Sequence, residues 1–163
     1  MENKIVKIIS ENQNLIRKIC NSFSQNPDER KDLFQEIAIQ LWRSYPTFRN
    51  ESKVTTWIYR IALNTAISSF RKNKKNKLHD SFETHEKSLQ VKQNSIEKNE
   101  EIENLYKAIN KLNDLEKSII LLYLDDYKSD EIAEVVGISS INVRVRINRI
   151  KTKLKDFLET LYS

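Results

Sequence analysis

Only one glycine, Gly137, and two prolines, Pro27 and Pro46, occur in this chain of 163 residues. Left-handed backbone turns are cheap at glycine and costly elsewhere. A chain with so few turn-forming positions is expected to be all-α, because sandwiches and barrels need many tight turns. The place of the glycine is informative. It lies between two short amphipathic segments in the stretch from Lys128 to Lys155, and the second segment is rich in arginine. Two helices joined by such a turn suit a DNA reader of the helix-turn-helix kind.

The remaining composition narrows the class. The length allows one or two domains. The net charge of +5 fits nucleic acid or another anionic partner, though many cytosolic proteins share it. The single cysteine, Cys20, excludes an internal disulfide and reads as a core residue beside Ile16 and Ile19. The longest apolar run near the middle, Ile119 to Leu124, is far short of the ~18 residues a membrane helix needs. The N-terminal residues lack the apolar stretch of a signal peptide. No membrane insertion is expected, and the expected location is cytoplasmic.

Along the chain, helical spacing predicts a helix over 3–23 with a break at Asn12. Asn26, Pro27 and Glu29 read as a capped helix start. Leu33, Phe34, Ile37, Ala38, Leu41 and Trp42 form its apolar stripe, and Pro46 ends it. Ser52 is the expected cap of a long third helix. That helix buries Val54, Trp57, Ile58, Ile61, Ala62 and Thr65 and presents Arg60, Asn64 and Ser68 on another face. Residues 1–72 thus form one domain. Residues 73–99 are polar and aperiodic, the composition of a flexible linker. His79 and His85 fall there without further ligands, so no metal site and no cofactor are expected. Residues 100–163 form a second, four-helix domain. Its stripe is Ile102, Leu105, Ile109 and Leu112, with caps expected at Asn113, Ser129 and Ser139.

In the last helix, Val143, Ile147, Ile150 and Leu154 mark the core side. The opposite side holds Asn142, Arg144, Val145, Asn148 and Arg149, the residue types that read guanine, adenine and the thymine methyl in a major groove. Arg146, Lys151 and Lys153 lie at its flanks, where phosphates run. In the first domain, Tyr45, Phe48, Trp57, Tyr59 and Phe70 stand among Arg49, Lys53, Arg60, Arg71 and Lys72. Rings among cations suit unstacked bases, but taken alone Trp57 and Phe70 read more readily as core. The residues alone leave two rivals open. One is a helix-turn-helix regulator acting without other machinery; the other is a helical interaction protein whose basic faces are merely solvated. Neither a nucleophile–base pair nor a phosphate loop is found, so the chain is not read as an enzyme.

A resemblance decides among these. The run Asp32-Leu33-x-Gln35-Glu36 followed by Leu41-Trp42, and the pattern F-R-x-E-S…T-W-x-Y-R-I-A-x-N from Phe48 to Asn64, resemble the promoter-melting domain of bacterial sigma factors. Leu105 to Leu158 resembles their C-terminal domain. Two such domains with a short linker are similar to the extracytoplasmic-function (ECF) group. The resemblance implies a factor that binds core RNA polymerase and directs it to promoters. It implies polymerase docking at Asp32, Leu33, Gln35 and Glu36. It implies −10 recognition and melting by Phe48, Arg49, Asn50, Arg60, Asn64 and Ser68, and −35 reading of promoter DNA by the last helix. It further implies an anti-sigma factor as partner. Two positions depart from the pattern: Ser68 stands where many relatives carry Asp or Asn, and Asn50 where glycine is common.

Overall fold

The computed structural model describes residues 2–79 and 100–162, and among these the regular structure is helical. Residues 80–99, most of the expected linker and including His85, lie outside the described residues.

The first domain comprises α1 (Glu2–Glu11), α2 (Gln13–Phe23), α3 (Pro27–Ser44), a single 3-10 turn (Tyr45–Thr47) and α4 (Val54–His79). The break at Asn12 is local in origin. Its N–H and its side-chain amide both donate to the Ile8 carbonyl, closing α1, while its own carbonyl accepts from Ile16 N–H in α2. Asn26 caps α3 by accepting from the N–H groups of Asp28 and Glu29 at 2.8 and 3.3 Å, an arrangement worth about 1 kcal/mol. Glu29 does not reach back directly. Ser24 relays the contact, accepting from Asn26 N–H at 3.1 Å and donating to the Glu29 carboxylate at 2.7 Å. Lys53 rather than Ser52 immediately precedes α4, and its carbonyl accepts from Trp57 N–H. α4 continues to His79, past Lys72 where the sequence suggests the domain ends.

Ile16, Ile19 and Phe23 of α2, Leu33, Ile37 and Leu41 of α3, and Ile58, Ala62 and Ala66 of α4 are buried together. Each fully buried large aliphatic or aromatic among them stabilises the domain by roughly 1.5–3 kcal/mol. Cys20 is in the same core, and burial pushes its thiol up to about 12. Trp42, expected in the α3 stripe, is 53% exposed. The stripe that meets the core is narrower, and position 42 lies beyond it.

The second domain comprises α5 (Glu100–Asn110), α6 (Asp114–Leu124), α7 (Ser129–Val136) and α8 (Ser140–Tyr162). The capping box at Asn113 and Glu116 forms as expected, with reciprocal bonds of 2.9 and 3.0 Å. α7 starts one residue earlier than a Ser129 cap implies. Asp126 takes φ 64, Lys128 becomes the cap, and Glu131 accepts from Lys128 N–H at 3.0 Å. Gly137 ends α7 with φ 80, its N–H donating to the Ala133 carbonyl. Nothing lies within 4 Å of where a Cβ would stand, so the glycine answers a backbone need alone. Ser139 then caps α8, its hydroxyl accepting from Asn142 N–H at 3.1 Å. α6 is the central helix, buried along Ile119–Leu122, while Ile102, in the first turn of α5, is exposed.

The two domains meet along a polar seam. Asp125, at the end of α6, accepts from Lys18 of α2 at 2.5 Å and from the Tyr59 hydroxyl of α4. Tyr127 donates to Thr55 at 3.1 Å and stands edge-on to Tyr59, with ring centroids 5.5 Å apart. Asn110 donates to the Asn21 carbonyl at 2.9 Å. Lys117 lies over the rings of Phe23 and Phe70 at 4.8 and 5.2 Å, and burial lowers its pKa. Tyr59, grouped by sequence with base-stacking aromatics, is 1% exposed and belongs to this seam and the core. Burial and the bond to Asp125 push its phenol well up.

Candidate functional site

Two surfaces combine exposure with the chemistry expected from the sequence. The first lies on α8. Val143, Ile147, Ile150 and Leu154 are buried, as the four-three-four spacing predicts. A straight helix that buries this row must turn the intervening residues outward. Asn142, Arg144, Val145, Asn148 and Arg149 are accordingly all exposed. Ile141 and Val145 are 71% and 42% exposed, apolar groups with no core to enter.

The three flanking cations differ from one another. Lys153 is ion-paired with Glu116 of α6 at 2.5 Å. Burial of Glu116 raises its pKa, but the Lys153 bond, the Asn113 N–H and the charges of Lys153 and Arg146 outweigh that and hold it below the usual range. Lys151 lies 4.6 Å over the Tyr123 ring, also on α6. Arg146 is half-buried, and its Nε has no hydrogen-bond partner among the described residues. Lys151 and Lys153 therefore brace α8 against α6 as well as lending it charge. Sequence spacing shows only that they flank the face; the acid and the ring they meet are some 30 residues away on another helix.

The second surface joins the loop before α4 to a groove between α3 and α4. In the loop, Phe48 stacks on Trp57 with centroids 4.7 Å apart, and Tyr45 meets the same ring edge-on at 6.3 Å. This half-buried aromatic floor fixes the loop. Arg49 and Asn50 stand exposed at its tip, and Asn50 takes φ 57. That left-handed conformation is the one glycine adopts freely, and asparagine is among the few other residues that tolerate it. Along α4, Arg60, Asn64 and Ser68 are exposed on one face. Asn64 and Ser68 also line the groove, together with Asp32, Glu36 and Gln40 of α3 and with Lys72. The structure thus brings two groups that sequence assigns to different tasks to opposite walls of one cleft. The α3 wall is acidic; the α4 wall carries hydroxyls, an amide and a lysine.

Asp32, Gln35 and Glu36 are exposed on α3, whereas Leu33 is buried and supports this face from below. Sequence reading did not pick out a further feature, an apolar groove of about 480 Å3 between α5, α6 and α8. Leu124 and Tyr162 at its edge are 50% and 61% exposed. Both lie off the apolar stripes of their helices, which is the one sequence signal they leave. Among the described residues, no cluster of His, Cys, Asp and Glu could hold a metal ion, and no helix is long and apolar enough to cross a membrane.

Comparison with known proteins finds a separate family match in each domain. The model of sigma-70 region 2 matches residues 8–76, and that of sigma-70 region 4 matches residues 102–154. The RNA polymerase sigma factor SigV of Bacillus subtilis is 28% identical over 146 residues, covering 89% of this chain and 85% of its own length. The ECF RNA polymerase sigma-E factor of Haemophilus influenzae is 28% identical over 165 residues, covering 94% and 87%. Among solved structures, the fold resembles the sigma factor RpoE of Bartonella quintana, crystallised with the anti-sigma factor NepR. The TM-score is 0.71 at 20% identity, over 97% of this chain and 96% of that one. CnrH in complex with the cytosolic domain of CnrY gives a TM-score of 0.67 at 17% identity, over 98% and 90%.

Proposed function

Because the chain belongs to the ECF group of sigma-70 factors, which direct RNA polymerase to initiate at promoters, we propose that its two exposed surfaces divide the promoter between them. α8 reads the −35 element as duplex. Asn142, Arg144, Val145, Asn148 and Arg149 meet base edges, and Arg146, Lys151 and Lys153 add phosphate attraction. The loop from Phe48 to Asn50 and the α4 face of Arg60, Asn64 and Ser68 take the −10 element as it opens. There an extruded base finds aromatic surface and amide groups, and the strand finds cations.

The observation that carries this reading is the clean separation of faces on α8: a buried apolar row, and an arginine- and asparagine-bearing row that is exposed among the described residues. Docking on core polymerase falls to Asp32, Gln35 and Glu36, with Leu33 holding their helix in place. This acidic wall lies across the groove from Asn64 and Ser68, so polymerase bound there would sit beside the strand being opened. The place of action is the cytoplasm, where polymerase meets promoters. An anti-sigma factor is a further partner, supported by the structural relative solved with NepR.

The test is reconstitution with core RNA polymerase, followed by transcription from a library of promoters randomised at both elements. Core binding and enrichment of defined −35 and −10 blocks are expected. Tight duplex binding by the free protein with no affinity for core polymerase would overturn the reading.

A further inference from the structure

The N-terminal end of α8 carries a three-residue hydrogen-bond chain. Asp130 stands in the first turn of α7 and Ser140 is the first residue of α8. The Ser140 hydroxyl donates to Asp130 Oδ1 at 2.6 Å, and Arg144 Nη2 donates to the Ser140 oxygen at 3.3 Å. A serine hydroxyl has one proton and two acceptor lone pairs. Giving the proton to a carboxylate leaves only the lone pairs for Arg144, so both bonds have a fixed direction. The bond to the carboxylate is charge-assisted and is the shorter of the two.

Ser140 lies four residues before Arg144, one turn nearer the helix start and on the same side. The chain therefore draws the guanidinium toward the N-terminal end of α8, the end of a recognition helix that meets base edges. Nη2 uses one proton for Ser140, which leaves the remaining guanidinium protons free for a base. Asp130 is not needed to cap α7, since Glu131 accepts from Lys128 N–H. Nor does its charge favour binding a polyanion: a carboxylate on this side repels phosphates.

We propose that Asp130 is a positioning residue for promoter specificity: through Ser140 it holds the Arg144 guanidinium pre-aligned to read one base pair of the −35 element. The proposal rests on the reading of α8 as the −35 helix. An arginine already held in place loses less side-chain freedom on binding, so the gain falls on the base it reads and not on affinity for DNA in general.

The test uses holoenzyme assembled with core polymerase on the promoter enriched above and on its single-base −35 substitutions. Arg144→Ala should abolish discrimination at one base pair. Asp130→Ala and Ser140→Ala should lower discrimination at that same base pair about fivefold, with affinity for non-promoter DNA unchanged or raised. Asp130→Asn, whose amide oxygen still accepts the Ser140 proton, should retain most of it and guards against a folding defect. Adding Asp130→Ala to Arg144→Ala should change nothing further. A loss spread evenly over all −35 positions, or one that persists in the Arg144→Ala background, overturns the positioning role alone. Failure of the wild-type holoenzyme to enrich any −35 block overturns the reading of α8 and this proposal together.

Discussion

Gly137 and Asn50 both hold left-handed backbone, at φ 80 and 57, and each introduces a surface assigned to DNA. They do so differently. Gly137 sits in open space at a helix end, and the helix it launches carries every base-reading residue of the proposed −35 surface. Asn50 sits at the tip of a loop whose shape depends on a floor of packed rings, Tyr45, Phe48 and Trp57. Its surface is completed by residues of α4, across the groove from the acidic wall of α3. A duplex is a regular object, and one rigid helix suits it. An opening strand is irregular, and a composite surface of loop, rings and groove suits that better.

The sharpest way to break this comparison is at the floor. Trp57→Ala removes the ring that both Phe48 and Tyr45 touch and should destabilise the first domain by about 3 kcal/mol. Chemical denaturation should show that loss, and promoter melting should fail while duplex binding by α8 persists. If melting survives, the loop does not depend on its floor. Next come paired single-contact changes. Arg149→Ala should cost about 1–3 kcal/mol of −35 discrimination and leave initiation on pre-melted templates intact. Asn64→Ala should show the reverse pattern, with duplex binding kept and permanganate reactivity of the bubble reduced. Unchanged footprints in the Asn64 variant would remove it from the −10 surface.

Smaller effects test the two turns themselves. Gly137→Ala should destabilise the second domain by about 1–2 kcal/mol through backbone strain alone, as read by thermal melting. Asn50→Gly relieves the same strain and should shift stability by about 0.5 kcal/mol or less. Equal effects at both positions would mean the left-handed conformation matters equally in loop and helix turn. The seam comes last. Asp125→Asn weakens bonds to Lys18 and Tyr59 and should loosen the contact between domains by about 1 kcal/mol. The measurement is distance-dependent fluorescence transfer between labels on α2 and α6, and no change would show that the other seam contacts suffice.

Local signals were readable from sequence, and distant ones were not. The caps at Asn26 and Asn113, the break at Asn12 and the turn at Gly137 each depend on residues within four positions, and each forms. Ser52 and Ser129 offered the same signal and lost. At α7 the reason is visible: Asp126 turns left-handed and Tyr127 is tied to Thr55 in the other domain, which makes Lys128 the helix start. Tyr59 misled for a similar reason, since its hydroxyl partner Asp125 lies 66 residues later. On α8 the split into a buried row and an exposed row followed from periodicity. The ties of Lys151 and Lys153 to Tyr123 and Glu116 required the fold.

The burial of Cys20 has a chemical consequence. Peroxide and other oxidants attack thiolate, not thiol, and they need access. A thiol only 2% exposed and pushed to about 12 offers neither at neutral pH. In the folded protein Cys20 is therefore a poor target for oxidants.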